Sequence, residues 1–215
     1  MSSPEILAPA ESVGILGGSF NPVHIGHMMI ASYLVQWGYV DRVWLTLSPR
    51  NPLKNAGDLI PDVRRLSMLQ IATRNQPGIE TCDIELSMPL PSYTINTLEA
   101  LRRRYPRKRF RLVIGADNWA IFHKWRDAQR ILDGFGVIVY PRPGYPVTDL
   151  TVDGMEYVEA PTANISSTFV RQAIAAGKDM NLFLPQGVYK YIADSKLYLP
   201  KTTDPMRPSG GGRDA

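Results

Sequence analysis

The sequence predicts an α/β fold, an open parallel sheet with helices on both faces. Short apolar runs alternate with segments of helical length along most of the chain, as expected when each strand is followed by a crossover helix. Loops rich in glycine, proline and small polar residues follow most of the predicted strands. In such sheets ligands bind at the carboxyl ends of the strands, close to the point where the strand order reverses. We therefore expect these loops to converge on one site.

Each element has a local signal. Gly38 ends the first helical segment, and Pro61 suits the first position of the second helix, with Asp62 in its first turn. Pro77 and Gly78 end that helix before the third predicted strand. The predicted strands are residues 13–16, 41–47, 79–85, 110–114, 135–140 and 155–159. The predicted helices are residues 28–37, 61–75, 93–104, a broken region up to 132, 165–177 and 186–193.

Composition describes an ordinary globular protein. Of 215 residues, 44% are hydrophobic and 20% are charged. We expect one domain over residues 12–200, a flexible leader over 1–11 and a disordered tail over 201–215. A single cysteine, Cys82, excludes an intrachain disulfide. Because the sequence has neither a membrane-spanning apolar run nor a signal peptide, we expect a cytoplasmic protein without a membrane partner.

Charge gives little indication of a nucleic-acid partner. The formal net charge is only +4, which is too small to indicate one. Seven basic residues do lie within residues 102–111. They could bind RNA, or they could be a positively charged helix end followed by a solvated turn. The second interpretation is favoured, because no regular series of aromatic side chains accompanies the basic residues.

Residues 17–27, Gly-Gly-Ser-Phe-Asn-Pro-Val-His-Ile-Gly-His, form the first stretch that points to chemistry. They lie between a predicted strand and a predicted helix, and His24 and His27 fall on one face of the first helical turn. Glycines let a ligand approach the backbone, and a helix N-terminus attracts anions. The stretch is neither a Walker loop nor a dinucleotide fingerprint. It predicts a polyphosphate site; the alternative is a tight turn with two structural histidines.

Residues 165–171, Ile-Ser-Ser-Thr-Phe-Val-Arg, form the second stretch. A helix start with two serine hydroxyls, and with Arg171 one turn later, can bind phosphate oxygens. The alternative is an N-cap serine followed by an exposed arginine.

The two stretches together resemble the nucleotidylyltransferase superfamily that carries an HxGH motif and an ISSTxxR motif. Within it, the chain is similar to bacterial nicotinate-nucleotide adenylyltransferases over residues 13–199. Residues 91–98, residues 114–117, Trp125 and residues 142–145 support that narrower resemblance. Two departures are visible. Asn21 stands where the family usually has aspartate, and Leu53 where many members have histidine.

The resemblance implies a Rossmann-like fold and transfer of AMP from ATP to nicotinate mononucleotide, giving deamido-NAD and pyrophosphate. It implies that His24 contacts the α-phosphate, and that His27 and Ser19 contact the outer phosphates. Ser166 and Arg171 would hold the leaving pyrophosphate, and Asp117 would lie near the ribose. Of these, His24, His27, Ser19 and Arg171 are the predicted catalytic residues. The full predicted ATP site is Gly17, Gly18, Ser19, Phe20, His24, Gly26, His27, Gly115, Asp117, Ile165, Ser166 and Arg171.

The acceptor would be held by main-chain amides near residues 92–94 and by an aromatic ring. A neutral pocket of backbone donors suits a carboxylate better than a carboxamide, so the acid nucleotide is favoured. For Trp125 the alternative is core packing, and for Lys54 and Arg142 it is an ordinary surface charge. The predicted acceptor residues are Lys54, Tyr93, Thr94, Trp125 and Arg142.

Mg²⁺ is expected on the ATP phosphates, because the sequence has no carboxylate cluster for a protein-held metal. Three other interpretations stay open: an adenylyltransferase for nicotinamide mononucleotide, one for pantetheine phosphate, and a nucleotide-binding module without turnover. The intact His24, His27 and Arg171 argue against the last. The oligomeric state also stays open, with a homodimer among the alternatives.

Overall fold

The computed structural model describes residues 10–49 and 59–200. The strands are β1 (Glu11–Gly18), β2 (Arg42–Leu47), β3 (Ile79–Cys82), β4 (Lys108–Gly115), β5 (Val137–Tyr140) and β6 (Met155–Tyr157). The helices are α1 (Ile25–Gln36), α2 (Asp62–Thr73), α3 (Thr94–Arg104), α4 (Ala116–Trp119), α5 (Ala128–Phe135), α6 (Ser167–Ala175) and α7 (Val188–Asp194). Short 3₁₀ turns lie at Ile84–Ser87, Phe122–Lys124 and Asn181–Phe183.

Within the described residues these strands form one sheet in the order β3-β2-β1-β4-β5-β6, and every neighbouring pair is parallel. This confirms the predicted open parallel sheet. The strand order reverses between β1 and β4, whose carboxyl ends are Gly18 and Gly115. A ligand site is therefore expected where these two strands end.

Helices cover both faces of the sheet and give two separate core clusters. The first cluster includes Met28 of α1, Leu69 of α2 and Val170 of α6, whereas the second includes Leu98 of α3 and Ile131 of α5. Strand residues alternate between the two clusters because successive side chains point to opposite faces. Both faces are apolar, which explains the hydrophobic runs within β2 and β5.

Two predicted strands are wrong at one end. The strand predicted over 79–85 stops at Cys82, and the chain turns so that the Glu85 side chain accepts a hydrogen bond from Thr97. The strand predicted over 135–140 begins only at Val137, because Phe135 still belongs to α5. Gly136, at φ 74°, ends that helix and donates its N–H to carbonyls of the last turn.

Other boundaries move by a few residues. The strand β1 begins at Glu11, at the end of the predicted leader, because Glu11 pairs with Arg42 of β2 and Lys108 of β4. Residues 1–9 of the predicted leader and the whole predicted tail over 201–215 lie outside the described residues. In the described part of the chain, no helix combines the length and apolar character needed to cross a membrane.

Candidate active site

The turn from β1 into α1 depends on two glycines for different reasons. A Cβ at Gly18 would lie 3.1 Å from the Phe20 ring, so that ring leaves no comfortable room for a side chain. Phe20 itself has a positive φ of 44°, an uncommon conformation for a bulky residue. At Gly17, by contrast, no protein atom lies within 4 Å of such a Cβ. The open space beside Gly17 is where a ligand could approach the backbone.

The two histidines of the turn stack on each other. Their ring centroids are 3.7 Å apart with an interplanar angle of 30°. The His24 backbone N–H donates to Nδ1 of His27 at 3.2 Å. Because this Nδ1 accepts a hydrogen bond, the ring proton of His27 lies on Nε2, which can donate to an anion. The sequence spacing correctly predicted that both rings share one face.

His24 is the buried member of the pair, with 3% of its surface exposed. Burial, helped by the nearby positive charge of Arg142, lowers the pKa of His24 to about 4. His24 is therefore neutral near pH 7 and can donate one N–H. A Cβ on Gly26 would lie 3.1 Å from its Nδ1, which explains the glycine between the histidines. That Nδ1 has no hydrogen-bond partner among the described residues.

The predicted second anion segment docks directly onto this turn. Ser167 Oγ donates to the carbonyl of Pro22 at 2.9 Å, and Arg171 donates to the carbonyl of Asn21 at 2.8 Å. Ser166 is the N-cap of α6 and accepts the Phe169 N–H at 3.1 Å. Residues 17–27 and 166–171 thus form one continuous surface, as predicted. Ile165 packs partly buried against the first core cluster.

Asn21, the first departure from the family pattern, is 3% exposed and accepts a hydrogen bond from the Tyr198 hydroxyl at 2.8 Å. Tyr198 follows α7 and lies 177 residues away along the chain. Sequence reasoning missed Tyr198, since it belongs to no motif. The structure assigns the Asn21 side chain to holding the turn, whereas the segment with Leu53, the second departure, lies outside the described residues.

A fully buried arginine, also missed, supports the same turn. Arg65 of α2 is 0% exposed. It donates to the carbonyls of Ser19 (2.6 Å), Ser48 (2.9 Å), Pro49 (3.1 Å) and Ile60 (3.2 Å), and to the Asp62 carboxylate (2.6 Å). These five bonds match the five N–H donors of a guanidinium. Arg65 therefore ties the ends of β1 and β2 to the start of α2.

The ends of β4 and β5 contribute Asp117 and Arg142. Arg142 Nε lies 3.5 Å from Asp117 Oδ1, and the guanidinium lies 5.5 Å from the centre of the Tyr140 ring. A Cβ at Gly115 would lie 2.9 Å from Arg142 Cγ, so glycine makes room for this pair. Arg142, predicted for the acceptor, lies on the side of His24 and Asp117. Its acceptor contact stays a prediction.

The predicted acceptor segment, residues 92–94, precedes and begins α3. Thr94 is the first residue of the helix, and the Arg126 guanidinium lies 4.7 Å from the centre of the Tyr93 ring. Trp125 directly follows the turn Phe122–Lys124 and precedes Arg126. The centre of its ring lies 5.4 Å from that of Phe122.

Tyr93 and Trp125 both pack partly buried against the second core cluster. The structure thus brings them to the same face of the sheet. The Trp125 Nε1 is buried and has no hydrogen-bond partner among the described residues. It is a free donor at the edge of the core. Lys54 lies outside the described residues.

A buried carboxylate holds the acceptor segment. Glu85, 7% exposed, accepts hydrogen bonds from Ser92 Oγ at 3.0 Å and from Thr97 Oγ1 at 2.9 Å. Burial raises the pKa of Glu85, and the hydroxyl donors oppose that rise. Sequence reasoning placed Glu85 in a strand and missed this contact. Glu85 is one of three acids within residues 79–85, so the sequence does not single it out.

The basic residues within 102–111 have mostly structural partners. Lys108 pairs with Glu11, Arg111 pairs with Glu156 at 2.6 Å, and the Arg102 guanidinium lies 4.8 Å from the Phe135 ring centre. They lie in the last turn of α3, in the turn after it and in the amino-terminal half of β4, away from the predicted site. These contacts favour the interpretation as a charged, solvated turn.

The described residues hold no group of three or more His, Cys, Asp or Glu side chains that could bind a metal ion.

Comparison with known proteins gives a consistent result. A family model described as cytidylyltransferase-like matches residues 15–173. A Bacteroides fragilis protein named "Probable nicotinate-nucleotide adenylyltransferase" is 45% identical over 83% of this chain and 90% of its own length. One of the same name from Bacteroides thetaiotaomicron is 44% identical over 84% and 90%. The solved structure of Plasmodium falciparum nicotinic acid mononucleotide adenylyltransferase complexed with NaAD is 18% identical, with a TM-score of 0.72 over 87% of this chain and 97% of that one.

Proposed function

This chain belongs to the nicotinate-nucleotide adenylyltransferase family, and we propose that it transfers AMP from ATP to nicotinate mononucleotide. The products are deamido-NAD and pyrophosphate, an activity of NAD biosynthesis in the cytoplasm. One observation carries the proposal. The helix start at residues 166–171 docks through Ser167 and Arg171 onto the carbonyls of the turn that presents His24 and His27. Two anion-binding elements thus meet at the end of β1.

The chemistry needs positioning more than a base. A phosphate oxygen of the acceptor nucleotide attacks the α-phosphorus of ATP, and the bond to the β-phosphate breaks. Pyrophosphate then leaves with the bonding electrons. The attacking phosphate is already anionic near neutral pH, so its alignment and the stabilisation of charge on the transferring group lower the barrier.

The histidines suit that task. His24, held neutral by burial, can donate one N–H to the α-phosphate, and His27 can donate from Nε2 to an outer phosphate. Arg171 donates from Nη1 to the Asn21 carbonyl and from Nη2 to Thr168 Oγ1 at 3.3 Å, and its other three N–H groups can bind the departing pyrophosphate. Ser166 Oγ already accepts the Phe169 N–H, and its hydroxyl proton can still donate to an anion.

We further propose that Mg²⁺ enters on the phosphates of ATP. A phosphate-bound Mg²⁺ neutralises charge on the transferring and leaving groups. Asp117, on the first turn after β4, would bind the ribose of ATP. Thr94, Tyr93 and Trp125 would bind the nicotinate side.

An acceptor assay tests the proposal. The purified protein is given ATP and Mg²⁺ with nicotinate mononucleotide, nicotinamide mononucleotide or pantetheine phosphate, and pyrophosphate release is measured. We expect turnover with the nicotinate nucleotide and a lower kcat/KM with the other two. Equal turnover of the acid and amide nucleotides would overturn the acid preference, and turnover of pantetheine phosphate alone would replace the proposed acceptor. Absence of turnover with all three would contradict the enzymatic assignment.

A further inference from the structure

Glu85 lies outside every motif that points to chemistry, yet its carboxylate is buried beside the predicted acceptor segment. Its Oε2 accepts from Ser92 of that segment at 3.0 Å, and its Oε1 accepts from Thr97, in the first turn of α3, at 2.9 Å. Thr97 is 1% exposed, and its other acceptor, the Tyr93 carbonyl, is more distant at 3.5 Å. Tyr93 and Thr94 lie between Ser92 and Thr97.

The turn that carries Glu85 also packs against β2, since Ile84 lies in the second core cluster together with Trp44. Ser48, the residue after β2, is held by its backbone. Its N–H donates to the Gly18 carbonyl at 2.9 Å, and its carbonyl accepts from Arg65 at 2.9 Å. Arg65 also binds the Ser19 carbonyl, so hydrogen bonds hold the ATP turn to the end of β2.

We propose that Glu85 is the positioning residue of the acceptor side: its carboxylate fixes residues 92–97 against the turn that follows β3, so that the main-chain amides before α3 are aligned for the nicotinate carboxylate. This inference rests on the proposed function for the identity of the acceptor. A carboxylate suits the role because it only accepts, and each of its two oxygens accepts from one of the two hydroxyls. An apolar replacement would leave buried hydroxyls without an acceptor.

Conservative variants separate positioning from simple packing. In Glu85→Gln the amide oxygen accepts one hydroxyl, and the amide N–H can donate to another after that hydroxyl rotates. Glu85→Ala offers neither. Thr97→Val keeps the shape of Thr97 and removes its hydroxyl. Glu80→Gln on β3 is the matched control, because Glu80 pairs with Arg42 at the surface instead.

Steady-state kinetics give the first test, with each substrate varied at saturation of the other. We expect Glu85→Ala to raise the KM for nicotinate mononucleotide by about tenfold or more while the KM for ATP changes by less than about twofold. Glu85→Gln and Thr97→Val should show smaller rises of the same kind, and Glu80→Gln none. An unchanged acceptor KM in a folded Glu85→Ala protein, or an equal rise of both KM values, overturns the proposal.

Backbone hydrogen exchange of the ligand-free protein gives a second test that does not depend on turnover. Loss of the carboxylate should speed exchange at residues 92–97 and leave residues 17–27 as in the wild type. Unchanged exchange at 92–97 in both Glu85 variants rejects the positioning role. If wild-type protein does not use nicotinate mononucleotide but the exchange result holds, the proposed acceptor fails and the role of Glu85 in ordering this segment stands. If Glu85→Ala does not fold, Glu85→Gln and Thr97→Val carry both measurements.

Discussion

The two sides of the site are built in different ways. On the donor side, which comprises residues 17–27 and 166–171, distant side chains hold backbone carbonyls: Arg65 binds Ser19, Arg171 binds Asn21 and Ser167 binds Pro22. On the acceptor side, which comprises residues 92–94 and Trp125, side-chain hydroxyls converge on one buried carboxylate, Glu85. The donor side also packs with the first core cluster, and the acceptor side with the second.

This difference matches two tasks. Phosphate transfer needs donors whose positions do not adjust, and the carbonyls bound by the buried Arg65 and the partly exposed Arg171 hold the turn in place. Recognition of an acceptor ring needs a shaped pocket, and aromatic side chains at the edge of a core supply one. We therefore expect changes on the donor side to act mainly on kcat, and changes on the acceptor side to act mainly on the KM of the acceptor.

The largest expected effect is on the donor side. Replacing His24 by Ala removes the N–H donor nearest the predicted α-phosphate, so kcat should fall by roughly 10²- to 10³-fold, the usual loss for one preorganised donor. Initial rates at saturating ATP and acceptor measure it. His123→Ala, at an exposed histidine in the turn Phe122–Lys124, is the control and should keep wild-type kcat. A His24→Ala protein with wild-type kcat would remove His24 from the chemistry and break the proposed division.

The second expected effect on the donor side is a pH dependence of protein stability that comes from His24. His24 has a pKa lowered from 6.5 to about 4 in the folded protein. Between these values the unfolded chain binds the proton and the folded protein does not, so unfolding becomes more favourable as pH falls. Stability associated with His24 is complete above about pH 6.5 and decreases towards pH 4, by about 3 kcal/mol in total.

Denaturant unfolding of wild-type protein and of His24→Gln from pH 7.5 to 4 measures this contribution. Carboxyl groups titrate in both proteins, so the difference between the two curves isolates His24. We expect the wild type to lose stability more steeply in this window. Parallel curves would mean that His24 titrates normally and is not held neutral by burial.

The part of each side that could be predicted depends on how far apart in the sequence its contacting residues lie. The donor turn was predicted because glycines, histidines and a helix start lie within residues 17–27, and local spacing decides which side chains share a helical face. Its supports were not predicted, since Arg65 and Tyr198 lie 46 and 177 residues from their partners and belong to no pattern.

The acceptor side was less predictable for the same reason. The segment at 92–94 was recognised by its resemblance to a family, whereas Glu85 was assigned to a strand as the last residue of the segment 79–85. The strand ends at Cys82, and tertiary hydrogen bonds to Ser92 and Thr97 decide the conformation that follows. A buried acid with hydroxyl partners leaves no local signature in the sequence, so the sheet was predictable and this network was not.

The smallest expected effect lies on the acceptor side, at Trp125. If its ring forms one wall of the nicotinate pocket, Trp125→Ala should raise the acceptor KM by about tenfold, leaving kcat and the KM for ATP within about twofold of wild type. Trp125→Phe keeps a ring but removes the buried Nε1 donor, so a smaller rise would show that stacking matters more than that N–H. Trp37→Ala, at a tryptophan that is 67% exposed after α1, is the control for loss of an indole. A lower melting temperature with both KM values unchanged would make Trp125 a packing residue of the second core cluster, and the acceptor side would then depend on residues 92–94 alone.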